Sequence, residues 1–171
     1  MLNIKNLLTD NTNVIRIYFI NKTDNHHKID LSISIKNIDS IKKIYKNWKI
    51  IEYSTYQYNN LSYEYDLTDD SQIVYSNTME KYELNDNLLY MSYNYSKHPT
   101  HLFPCINTID NIRKYSIQEY KISNRISLLI ETDIFGNYLY LEYKHSVNVD
   151  TEKIESMLKS TIENIKKMIL T

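Results

Sequence analysis

Asn137-Tyr-Leu-Tyr-Leu-Glu-Tyr143 decides the fold. Within it Tyr138, Tyr140 and Glu142 alternate with Leu139, Leu141 and Tyr143. This period of two sends successive side chains to opposite faces of an extended strand. Tyrosine suits such a strand because its ring fits a pleated, half-buried surface while its hydroxyl tolerates water. Moving outward, 125–132 reads as the preceding strand. Asp133-Ile-Phe-Gly136-Asn137 joins the two as a hairpin in which Gly136 supplies a positive φ at no steric cost. Downstream of a strand expected over 137–147, Asp150 or Thr151 caps a long helix. Its residues Ile154, Met157, Leu158, Ile162, Ile165 and Ile169 form one apolar stripe, and Glu155 with Lys159 and Glu163 with Lys167 are four-residue pairs on the other side.

The same alternation recurs upstream. Tyr53-Ser-Thr-Tyr56-Gln-Tyr58, Tyr63-Glu-Tyr65 and Tyr90-Met-Ser-Tyr93-Asn-Tyr95 account for much of the total of 17 tyrosines. Strands are expected at 14–20, 29–35, 49–58, 61–67, 72–76, 79–84, 88–95 and 114–122, with polar clusters such as Asn59-Asn60 and Asn85-Asp-Asn87 as turns. A short helix capped by Asn37 or Asp39 is expected between the second and third of these, with Ile38, Ile41, Ile44, Tyr45 and Trp48 at helical spacing. Both prolines, Pro99 and Pro104, fall in a loop placed at 96–112. No internal repeat or linker divides the chain, so residues 1–171 read as a single domain. The fold class is α+β. It comprises a curved antiparallel sheet, open or closed into a barrel or tunnel, with a short early helix and a long C-terminal amphipathic helix.

Composition narrows the function classes. Lys plus Arg is 20 against 21 Asp plus Glu, which lacks the basic excess of a general nucleic-acid backbone binder. The start Met-Leu-Asn-Ile-Lys-Asn has no charged region followed by an apolar stretch, and apolar runs are short, so neither a membrane span nor a secretory signal is expected. Cys105 is the single cysteine, compatible with a reducing compartment, and the expected location is intracellular, cytoplasmic or nuclear. The chain has no alanine and one glycine while Ile, Asn, Lys and Tyr abound, the skew of an AT-rich genome. Glycine scarcity also excludes Gly-rich phosphate loops.

His98-x-x-His101-x-x-x-Cys105 is the one cluster of soft metal ligands. Its spacing matches none of the paired-ligand patterns of zinc sites, so a proline-stiffened surface loop is the expected reading and no resident metal or other cofactor is assigned.

The order strand, short helix, meander, strand hairpin and terminal helix resembles the triphosphate tunnel superfamily, which includes RNA triphosphatases. That resemblance implies a barrel whose strands aim alternating carboxylates at a lumen to hold Mg or Mn, with inward Lys and Arg on the triphosphate. It places Leu31-Ser-Ile-Ser-Ile35 at the first acidic strand, Ile112-Arg-Lys-Tyr115 and Asn124-Arg-Ile-Ser-Leu128 at the basic strands, and Tyr138-Leu-Tyr-Leu-Glu-Tyr143 at the last acidic strand. The carry-over implies Asp30, Glu131 and Glu142 as acids and Lys114 and Arg125 as phosphate contacts. The chain departs from the pattern by offering only Asp30 beside Ser32 and Ser34 in the first strand, and Lys144 after Glu142 where another carboxylate belongs. The strands ending in a long amphipathic helix also resemble helix-grip folds, which implies an apolar ligand cavity.

Three functions follow. With most of the family's acids missing, the favoured one is a non-enzymatic accessory protein that binds a protein partner through a tyrosine-rich sheet face such as that of Tyr63 and Tyr65. The alternatives are a metal-dependent RNA or nucleoside 5′-triphosphatase of the tunnel type and a carrier of small apolar ligands.

Overall fold

The computed structural model describes residues 13–22, 29–30, 32–58, 61–66, 71–76, 81–85, 87–93, 97–98, 112–146 and 148–169, with side chains for 13–20, 32–55, 64, 87–93, 113–146 and 148–169. Twelve strands and two helices are described. The strands are β1 (Val14–Phe19), β2 (Asn21–Lys22), β3 (Ile29–Asp30), β4 (Lys49–Tyr58), β5 (Leu61–Asp66), β6 (Ser71–Ser76), β7 (Lys81–Asn85), β8 (Leu88–Tyr93), β9 (Lys97–His98), β10 (Ile112–Lys121), β11 (Ile126–Asp133) and β12 (Gly136–Lys144). The helices are α1 (Ile35–Ile44) and α2 (Thr151–Ile169). Ten strands form one sheet in the order β7-β8-β1-β12-β11-β10-β4-β5-β6-β9, and β2 and β3 pair separately. The pairings are antiparallel, giving the α+β class expected from the alternation. Among the described residues the sheet is open, with β7 and β9 at its edges.

One face of the central strands is covered by the helices. Ile15, Ile17 and Phe19 of β1, Ile126, Leu128 and Ile130 of β11, and Leu139, Leu141 and Tyr143 of β12 form one core with Ile38 and Ile41 of α1 and Ile154, Leu158, Ile162 and Ile165 of α2. Burying an aliphatic side chain of this size contributes about 1.5–3 kcal/mol, which makes the helix-to-sheet layer the main apolar store of the domain. The α2 stripe is the expected one, with Thr161 also buried by donating its hydroxyl to the Met157 carbonyl at 2.8 Å. Asp150 is the cap, accepting from the Glu152 and Lys153 N–H groups at 3.1 and 3.3 Å. Glu155 and Lys159 pair at 3.1 Å.

The stretch 29–35 is not one strand. β3 stops at Asp30, Ser32–Ser34 carry no strand, and Ile35 opens α1. The cap is Ser34, whose Oγ accepts from the Asn37 N–H at 3.2 Å, rather than Asn37 or Asp39. A side-chain acceptor with extended backbone just before the first turn satisfies a donor that the helix cannot. Alternating Ile33 and Ile35 thus part company, Ile33 entering the core and Ile35 standing 69% exposed. At the other end α1 stops at Ile44, and Trp48 lies beyond it, donating its indole N–H to the Tyr45 carbonyl at 2.8 Å. Asn47, with φ 68, makes the intervening reversal in the left-handed region that Asn tolerates.

The β11–β12 hairpin turns through Ile134 and Phe135, with Asp133 paired to Gly136. Asp133 Oδ1 accepts from the Phe135 and Gly136 N–H groups at 2.8 and 3.2 Å, closing the turn from its own side chain. Gly136 has φ 153, and a Cβ there would lie 3.2 Å from the Ser32 Cβ, so glycine answers both the backbone and the close approach.

A tyrosine-lined trough opposite the two helices

One residue out of step with the apolar core, the same strands present a different chemistry. Val14, Arg16 and Tyr18 of β1, Tyr138, Tyr140 and Glu142 of β12, Leu129, Glu131 and Asp133 of β11, Arg113, Tyr115 and Ile117 of β10, and Tyr53 of β4 share the second face by register. Tyr115, Ile117, Leu129 and Tyr140 form a small apolar cluster there, with Tyr18 and Tyr53 packed on it. The face is concave. Leu89 of β8 and Arg113 of β10 are four strand steps apart, about 19 Å in a flat sheet at the usual strand spacing, yet line one cavity of about 360 Å³.

Two arginine centres run along this trough. Arg16 Nε donates to Glu142 Oε2 at 2.8 Å, and the two residues are direct cross-strand partners. The Arg16 guanidinium also stands 5.1 Å from the Tyr93 ring centroid and 5.0 Å from that of Tyr140. Burial opposes the Arg16 charge, but the surrounding Tyr140, Tyr93 and Glu142 outweigh it and hold the pKa well above its ordinary value. Arg113 forms the second centre. Its Nη2 donates to Glu131 Oε2 at 2.7 Å and to Asp133 Oδ2 at 2.6 Å, while Nε reaches the same Asp133 oxygen at 3.1 Å. Its guanidinium lies 4.7 Å from the Tyr115 ring centroid. Burial again works against the charge, and the hydrogen bonds to Glu131 and Asp133 more than offset it. Burial likewise pushes the Asp133 carboxyl up, but the Arg113 hydrogen bond and the Phe135 and Gly136 N–H groups hold it below its usual range.

The tyrosines connect these centres. Tyr115 donates to Glu64 Oε2 at 2.7 Å and Tyr140 donates to Glu131 Oε1 at 3.4 Å. Tyr18 and Tyr140 stack with centroids 4.7 Å apart, and Tyr53 and Tyr115 at 5.6 Å. Burial raises the pKa of Tyr18, Tyr115, Tyr138 and Tyr140, keeping each a neutral donor at physiological pH. At the β11–β12 turn the trough holds a cavity of about 360 Å³, lined by Tyr18, Leu89, Met91, Arg113, Glu131, Asp133 and Tyr138.

The residues singled out from sequence divide between these surroundings. Glu131 and Glu142 both stand on the trough face, each already bonded to an arginine. Asp30 belongs to the separate β2–β3 pair, where its backbone partners Asn21. Lys114 is one residue out of step with Arg113 and falls opposite Ser54 on the other face, exposed. Arg125 lies in the β10–β11 connection, exposed, with Nη1 donating to the Lys144 carbonyl at 3.5 Å. Tyr63 and Tyr65 pair in register with Tyr56 and Ser54, out of step with Glu64, and their side chains lie outside the described residues. His98 is placed by its backbone in β9 opposite Val74, while His101 and Cys105 lie outside the described residues. Among the described residues no three His, Cys, Asp or Glu side chains come together as a metal site, and no helix is long and apolar enough to cross a membrane.

Sequence reasoning missed Arg16, Arg113 and Asp133. A signal for the first was present, because Val14-Ile-Arg-Ile-Tyr-Phe19 is apolar on both faces except for Arg16, and a lone charge in such a strand needs a buried partner. For Arg113 the signal was its step of two to Tyr115 and Ile117, which shares their face and leaves Lys114 on the other. The chain matches no protein-family model and no curated protein.

Proposed function

We propose that this protein is a non-enzymatic binding module that takes a protein partner against the face of its sheet opposite α1 and α2. The observation that carries this reading is the concentration of half-buried tyrosines, Tyr18, Tyr53, Tyr93 and Tyr138, around two guanidiniums on a curled face to which neither helix contributes apolar cover among the described residues. Tyrosine and arginine are the side chains that interfaces favour, because each offers a wide flat contact together with a polar edge. The ion pairs and ring stacks fix these groups before a partner arrives, which reduces the ordering cost of association. The single cysteine is consistent with work in the cytoplasm or nucleus.

The test is affinity capture with the full chain, followed by the double substitution Tyr53→Ser and Tyr138→Ser, with folding checked by circular dichroism. Loss of the captured partner with folding retained supports the trough. Unchanged capture refutes it, and serine at Tyr63 and Tyr65 then tests the alternative tyrosine face.

A tunnel-type triphosphatase is the second reading, favoured by the convergence of Glu131, Glu142, Arg16 and Arg113 on one curled face. It requires the sheet to close into a tunnel and Mg or Mn to be held by carboxylates. The donor set does not fit that metal as arranged, because Glu131 and Asp133 are engaged by Arg113 and Glu142 by Arg16. Metal-dependent phosphate release from a nucleoside triphosphate would establish this reading against the first. An apolar carrier draws less support, since the trough cavity ends in three charged groups.

A further inference from the structure

Charge along the trough is uneven. At the end formed by the β11–β12 turn, Glu131 and Asp133 line the cavity with Arg113 as the one cation among its described lining residues, so two carboxylates face one guanidinium and one negative charge is left over. Among the residues whose side chains are described, the exposed lysines of the same face, Lys49, Lys121 and Lys144, lie at the opposite end of their strands, since Lys49 pairs with Glu119 near the end of β10 and Lys144 with Val14 at the start of β1.

Resting on the binding-module reading, we propose that the cavity at the β11–β12 turn receives a cationic side chain, arginine or lysine, of the protein partner. Three features select this chemistry. The leftover negative charge attracts a cation and disfavours a carboxylate or a phosphate. Tyr18 and Tyr138 line the cavity, and aromatic rings attract cations through their negative quadrupole. Leu89 and Met91 line the remainder and match the methylene stem that both basic side chains carry. A volume of about 360 Å³ lies in the range of pockets that enclose small groups. Beside the mouth, Ile134 and Phe135 are 90% and 79% exposed at the hairpin tip, directly after Asp133, and offer an apolar shelf for a residue flanking the cation.

The experiment titrates the full chain with the peptide acetyl-Leu-Arg-Leu-amide, its Glu counterpart and inorganic tripolyphosphate, read by methyl NMR at Leu89 and Met91. The arginine peptide is expected to give saturable shifts that weaken as salt rises, and the glutamate peptide and tripolyphosphate none. Glu131→Gln is expected to weaken the arginine peptide about tenfold by removing the charge. Tyr138→Leu, which leaves every charge in place and guards against a folding defect in the first variant, is expected to weaken it about threefold. Absence of saturable shifts with the arginine peptide overturns the proposal, as does equal binding of the glutamate peptide. Tripolyphosphate shifting the same methyls overturns it in favour of the phosphate reading. A partner that is lost with Tyr53→Ser and Tyr138→Ser but binds Glu131→Gln unchanged overturns the cation proposal while the binding-module reading stands.

Discussion

On the side of β1, β11 and β12 that meets the helices stand Ile15, Ile17, Leu128, Ile130, Leu139 and Leu141, all at most 1% exposed. One position along each strand, on the other side, stand Arg16, Tyr18, Leu129, Glu131, Tyr140 and Glu142. Both faces are largely buried, but by different means. The helix side is closed by aliphatic packing, which is non-directional and tolerates repacking. The trough side is closed by tyrosines and ion pairs, each of which must satisfy a partner in a fixed geometry to avoid a desolvation penalty. Four charged groups are kept at this depth, Arg16, Glu142, Glu131 and Asp133, each with a side chain no more than 24% exposed and each held by an opposite charge.

The sharpest way to break this contrast is on the helix side. Leu158→Ala removes a fully buried side chain between α2 and the sheet and is expected to cost about 2–5 kcal/mol in urea denaturation. A loss under about 1 kcal/mol would mean that the layer is loosely filled and the two faces less distinct than described.

On the trough side the pair Arg16 and Glu142 offers the matching experiment. Arg16→Ala strands Glu142 at 12% side-chain exposure and is expected to cost about 1–3 kcal/mol, less than a fully buried pair because Arg16 keeps some solvent. Replacing both at once, Arg16→Met with Glu142→Leu, is expected to cost less than the single change, since no carboxylate is left unpaired. Additive losses would show that the two side chains act independently.

The smallest effect is expected from acid. Asp133 has a folded pKa held below its unfolded value, so its ionisation contributes stability that is fully present above about pH 4 and disappears as pH falls through the lower folded value. Asp133→Asn keeps an acceptor for the Phe135 and Gly136 N–H groups and leaves Arg113 bonded to Glu131, removing the charge together with the two hydrogen bonds from Arg113 to Oδ2. Thermal melts should show the variant slightly less stable at pH 7, with the difference closing below about pH 4. A difference that persists unchanged in acid would assign the effect to turn geometry instead of charge.

Strand alternation was legible because a period of two is a local property of the chain. The hairpin at Gly136 and the stripe of α2 were legible for the same reason, each set by residues within a few positions of one another. The start of α1 was not, because Leu31-Ser-Ile-Ser-Ile35 satisfies strand periodicity while Ser34 is also an ideal cap, and packing of Ile38 and Ile41 on the sheet decided between them. Of the charged residues singled out from sequence, Glu131 and Glu142 stand in the trough, while Lys114 and Arg125 lie outside it and Arg113 and Arg16 within it. A register error of one residue moves a side chain to the opposite face, and only the pairing of Arg113 with Thr55 and of Tyr115 with Tyr53 fixes which neighbour enters the trough.

The sequence by itself determined that this protein is an antiparallel sheet with a long amphipathic C-terminal helix, because side-chain periodicity is written residue by residue. Tertiary structure alone decided that Tyr18, Tyr115, Tyr138 and Tyr140 share one face with Glu131, Asp133 and Glu142, and that each of these three acids is held by an arginine. Such partners lie up to 126 residues apart in the chain, as Arg16 and Glu142 do, and come together only when strand order and register bring β1 beside β12.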